Sequence, residues 1–127
     1  MSKIAKIKRF NDYLDQLFNY LEDTFPFYKS DIILTKNSIH FIRRSNPRLV
    51  VEQFTQYVQP YYEEIFNCDE DFFMNFEKNM SLDQENMLYG LKLKSLWIQH
   101  TNPSQALYEK ARIFDYFQKL LNSAALV

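Results

Sequence analysis

Apolar residues recur at three- and four-residue intervals from the first turn of the chain. Ile4, Ile7, Phe10, Leu14, Leu17, Leu21 and Phe25 share one helical face, and Phe18 widens it. This spacing predicts a helix from Lys3 to Thr24, stopped by Pro26 because proline pushes the preceding residue out of helical dihedrals. Ser30 or Asp31 then caps a shorter helix, about Asp31 to Arg44, carried by Ile32, Ile39 and Ile42. The run Ile32-Ile33-Leu34 also suits the start of a strand. Arg43 and Arg44 favour a helix C-terminus electrostatically.

Asn46-Pro47 is the clearest local signal. Asn accepts an orphan backbone N–H at the N-cap, and proline at the first helical position loses no needed donor. The helix it opens carries Leu49, Val50, Phe54, Tyr57, Val58, Tyr61, Ile65 and Phe66. Pro60 interrupts it and should kink or split it near Val58. Asp69 is a candidate cap for a short helix, Glu70 to Asn75. Ser81 and Gln84 have capping-box spacing for a helix from Leu82 to Gln99. Asn102-Pro103 repeats the cap-plus-proline device before a last helix from Pro103 to Ala124. No strand-like alternation flanked by glycine turns occurs. The expectation is all-α: a compact bundle of four long helices plus one or two short helices, in a single domain over residues 1–127.

Composition narrows the chemistry. The chain has 127 residues with 46% hydrophobic and 24% charged, ordinary globular usage that provides enough apolar surface to fold. One glycine excludes P-loops, dinucleotide-binding turns and nucleophile elbows, each of which needs several. One cysteine and two histidines fall short of a zinc-finger ligand set. No apolar stretch reaches membrane-spanning length and no signal peptide is evident, so no membrane insertion is expected. The lone Cys68 fits an intracellular, reducing setting. The aromatic load (Tyr 9, Phe 12, Trp 1) comes with abundant Ile, Asn and Lys, the residues of AT-rich codons. Genome composition is therefore its first explanation.

Net charge is −1, with residues 1–60 at +3 and 61–127 at −4. The acidic cluster Glu63, Glu64, Asp69, Glu70 and Asp71 lacks the glycine and the alternating ligands of a calcium loop, so no metal and no cofactor are expected. Cys68 lies next to acids rather than beside a basic group that would activate it, and no sequence feature places His40 or His100 next to a nucleophile. No catalytic residue is assigned.

Two binding surfaces remain. Tyr61-Tyr62 and Phe72-Phe73 are adjacent pairs that cannot both point inward from one helix, so Tyr61, Tyr62, Phe72 and Phe73 are the candidate partner-binding residues. Arg9, Arg43, Arg44 and Arg48 are the alternative, a basic patch for nucleic acid if folding merges them. Arg48 can instead pair with Glu52 on its own helix.

The segments Asn46-Pro47-Arg48-Leu49-Val50, Phe54, Tyr57-Val58, Pro60-Tyr61, Ile65 and Asp69-Glu70-Asp71-Phe72-Phe73 follow the opening pattern Phe10, Leu14, Leu17, Leu21, Phe25-Pro26. In this order they resemble a group of small helical proteins of nucleocytoplasmic large DNA viruses of algae and protists. The resemblance covers most of the chain and implies a viral origin, but brings no catalytic residue and no activity. The reading from sequence is a non-enzymatic viral interaction or structural protein that binds a protein partner or forms a homo-oligomer. A nucleic-acid-associated accessory role is the alternative.

Overall fold

A computed structural model describes residues 2–74 and 103–127, with side chains over 2–72 and 109–127. The helix expected over Leu82–Gln99, its Ser81 cap, the Asn102 cap and the Phe73 side chain lie outside the described residues.

Helix α1 spans Lys3–Thr24, as its apolar spacing predicts. The Ser2 hydroxyl accepts the Ala5 N–H at 3.1 Å and caps its start. Phe25 leaves helical dihedrals ahead of Pro26, and a 3-10 turn over Pro26–Tyr28 leads directly into α2, Lys29–Ser45. Because that turn delivers the chain in near-helical geometry, α2 starts earlier than Asp31. Ser30 and Asp31 therefore occupy its first turn instead of its cap, and the Asp31 carboxylate sits at the positive end of the helix dipole. Ile32-Ile33-Leu34 is helical rather than strand, with Ile32 and Ile39 fully buried.

A single residue, Asn46, separates α2 from α3, Pro47–Val58. Its Oδ1 accepts the Arg48 N–H at 3.1 Å, so the cap-and-proline device operates as its residues imply. Pro60 splits the next stretch at the expected place. A 3-10 turn occupies Gln59–Tyr61, and α4 resumes over Tyr62–Phe66. Asp69 Oδ1 accepts the Asp71 N–H at 2.9 Å and opens α5, Asp71–Met74. The last helix, α6, spans Pro103–Ala125. No strand occurs among the described residues.

α4 ends without glycine. Asp69 N–H donates to the Glu64 carbonyl at 2.8 Å and Cys68 N–H to the Ile65 carbonyl at 3.2 Å, the paired bonds of a Schellman cap. Cys68 takes the left-handed position, at φ 54°, where glycine is the usual occupant. Gln118 on α6 donates to the same Ile65 carbonyl at 3.0 Å and ties the strained turn to the last helix.

α1 and α2 run antiparallel: Lys36 Nζ bonds Glu22 and Asn19, whereas Arg43, two turns on, bonds Asp15 and Asn11 further back along α1. α6 packs on α1, α3 and α4. One core unites these helices. A line of rings threads it: Phe10 meets Phe54 edge-on at 5.2 Å, Phe54 stacks on Phe117 at 6.3 Å, and Phe117 meets Phe72 at 5.6 Å. Tyr61 closes the line against Phe72 at 5.4 Å. Such ring pairs add to area burial because edge and face carry opposite partial charge.

Candidate interaction surface

The aromatic pairs divide as their adjacency demands, but not into one patch. Tyr62 is 48% exposed and stacks on Phe66 at 4.4 Å, while Tyr61 is half-buried against the core. Phe72 is only 2% exposed. It is spent on the core because α5 folds back toward α6, placing its ring between Phe117 and Tyr61. Of the four expected partner-binding residues, Tyr62 alone is both described and open to solvent. It lines a hollow of about 150 Å³ with Thr55, Leu121 and Ala125, below the size of ordinary small-molecule sites.

The basic residues divide as well. Arg43 Nη1 donates to Asp15 at 2.8 Å and Nη2 to the Asn11 carbonyl at 3.5 Å, so its charge is matched within the bundle. Arg44 and Arg48 are exposed near the α2–α3 corner. Arg9 lies on another face, lining a hollow with Lys8, Asp12 and Gln16 along α1. The acidic cluster is partly used in the fold: Glu70 accepts from Lys110 Nζ at 2.8 Å, and Asp69 caps α5. Among the described residues no group of three His, Cys, Asp or Glu side chains is placed to hold a metal ion. Cys68 is exposed and His40 lies on α2, in separate surroundings.

A different surface emerges on α2. Phe27, Leu34 and Phe41 are 88%, 66% and 72% exposed. Leu34 and Phe41 lie seven residues apart on α2, opposite the buried Ile32 and Ile39 and about 10 Å apart along the helix, while Phe27 belongs to the 3-10 turn ahead of it. Ile32 and Ile39 are buried and Ile33 and Ile42 half-buried, whereas two phenylalanines and a leucine on this side are left in water, an unusual exposed feature. Covering each such side chain is worth about 1.5–3 kcal/mol, against which binding must offset lost rigid-body freedom. The spacing was open to view in the sequence. It was masked because Ile32, Ile33 and Leu34 are contiguous, and only the helix phase tells which of the three faces outward.

The two edges of this face differ in charge. On the side toward α1 the cations Lys29 and Arg44 are exposed, with the His40 ring between them. Lys36 and Arg43 continue the same side but are matched by Glu22 and Asp15. The other edge carries Asp31, Ser38 and Ser45. An open hollow of about 510 Å³ lies beside Phe41, bounded by Asn37, His40 and Arg44.

No helix among the described residues is long and apolar enough to cross a membrane. No family model matches the sequence, and no curated protein or solved structure matches it either.

Proposed function

We propose that this chain is a non-enzymatic interaction protein that docks on a protein partner through the outer face of α2. The observation that supports the reading most is the exposure of Leu34 and Phe41, with Phe27 in the turn before them, on a helix anchored from behind by the Lys36–Glu22 and Arg43–Asp15 pairs. A rigid helix presenting a row of large apolar side chains loses little entropy on association. Tyr62 is a second, smaller contact candidate. A viral origin belongs to this reading, as does an intracellular setting, with which the exposed Cys68 thiol agrees. The segments that carry the viral resemblance serve the fold: Asn46-Pro47 starts α3 and Phe72 fills the core.

The test places a photo-crosslinking amino acid at position 34, and separately at the exposed position 12 on α1, in the cell that makes the protein. Defined adducts from position 34 that are missing from position 12 are expected. Equal yields from both positions, or none from 34, would remove the reading.

A further inference from the structure

We infer that the occupant of the α2 face is an acidic amphipathic helix of a partner protein. The inference rests on the reading that α2 docks a protein and adds the partner's chemistry. Its first support is the seven-residue interval of Leu34 and Phe41 on α2, the repeat of a left-handed helix pair, in which knobs from one helix enter holes of the other. Small polar residues Ser30, Asn37 and Ser38 flank these knobs and leave room for a second backbone to approach.

The width of the exposed apolar surface separates this occupant from a lipid surface. A helix lying in a bilayer interface presents a broad apolar face, whereas the exposed Leu34 and Phe41 are flanked by Ser30, Asn37 and Ser38, with Ile33 alone half-buried beside them. Charge separates it from a second copy. An antiparallel pair of α2 helices sets the edge carrying Lys29 and Arg44 against itself. A parallel pair offers those cations only Asp31. A helix with Asp or Glu along the matching edge satisfies them, and like-charged helices are rejected by the same edge.

The experiment measures fluorescence anisotropy of two labelled three-heptad peptides against the full chain. Both carry the same leucine seam; one has Glu at its flanking positions and the other Lys. The Glu peptide is expected to bind about tenfold or more tightly than the Lys peptide, with affinity falling as salt rises. Leu34→Glu should weaken the Glu peptide about tenfold or more, and Arg44→Glu should shift preference toward the Lys peptide. Circular dichroism checks that both variants keep their helix content, and Phe41→Ser serves in place of Leu34→Glu if that variant fails to fold.

Equal affinity for the two peptides overturns the inference, as does an Arg44→Glu variant with unchanged preference. So does failure of both peptides to bind, the result a face already covered by its own chain would give. A dimer by light scattering that Leu34→Glu dissolves assigns the face to a second copy instead. Stronger binding to phosphatidylserine–phosphatidylcholine vesicles than to the Glu peptide assigns it to lipid. Adducts from position 34 with no charge preference between peptides remove the acidic helix alone; loss of those adducts removes the docking reading beneath it.

Discussion

Arg43 Nη1 lies 2.8 Å from Asp15 Oδ1, joining α2 to α1 and withdrawing Arg43 from the candidate basic patch with Arg44 and Arg48. The guanidinium is 14% exposed and the carboxylate 37%, so the pair is screened on one side only. Arg43→Ala should lower stability by about 1–2 kcal/mol in urea denaturation. It should leave any affinity for oligonucleotides unchanged, because the charge it removes is already matched. A loss of oligonucleotide binding in that variant, without loss of fold, would return Arg43 to the nucleic-acid reading. Arg44→Ala is the variant that tests exposed charge.

Phe72 and Tyr62 belong to the same aromatic run but have opposite exposures. Phe72→Ala removes a ring that touches Phe117 and Tyr61 and should cost about 3 kcal/mol. Tyr62→Ala should cost about 1 kcal/mol or less. Equal midpoints for the two variants in urea would contradict the placement of Phe72 in the core.

Leu34→Ser and Phe41→Ser exchange exposed apolar groups for polar ones and should change stability by no more than about 0.5 kcal/mol. Their effect should appear instead in crosslinking and peptide binding. A large fall in melting temperature for either variant would mean that α2 is covered in solution by something that contributes to the fold.

Cys68 at φ 54° occupies a cap position that suits glycine. Cys68→Gly relieves the steric cost of a left-handed side chain at the expense of greater unfolded-state freedom, for a net gain of about 0.5–1 kcal/mol. The Gln118–Ile65 bond is retained in that variant. Thermal denaturation should show a higher midpoint, and Cys68→Val, with its branched β-carbon, a lower one.

Glu109 is 8% exposed, and its Oε2 is buried without a hydrogen-bond partner. Burial raises its carboxyl pKa above the usual 4.5, opposed by the nearby Arg112 charge. The folded state therefore holds this proton more tightly than the unfolded state. Its contribution to stability is largest below about pH 4.5 and declines as pH rises through the raised folded value. Glu109→Gln should raise stability at neutral pH and flatten the pH dependence over that interval. An unchanged slope of stability against pH would show that Glu109 does not titrate there.

The legible parts of this fold are those set within a few residues. Asn46-Pro47, Asp69 ahead of α5 and Pro60 after Val58 each specify a cap or break through their own backbone chemistry, and each operates where expected. The start of α2 was displaced because a 3-10 turn supplied what a capping side chain would have supplied. The candidate surface was less legible. Adjacent aromatics announce that one of each pair faces outward, but whether Phe72 does depends on α5 folding back to Phe117, a residue far along the chain. Arg43 likewise finds Asp15 only because α1 and α2 lie antiparallel.

The sequence by itself determined a helical chain punctuated by proline, with one glycine, one cysteine and two histidines. Those properties follow from dihedral limits, local hydrogen bonding and residue count. Tertiary structure alone decided which apolar residues became surface. Burial depends on the rotation of each helix against its neighbours. That rotation placed Phe72 in the core, spent Arg43 on Asp15, and left Phe27, Leu34 and Phe41 in water.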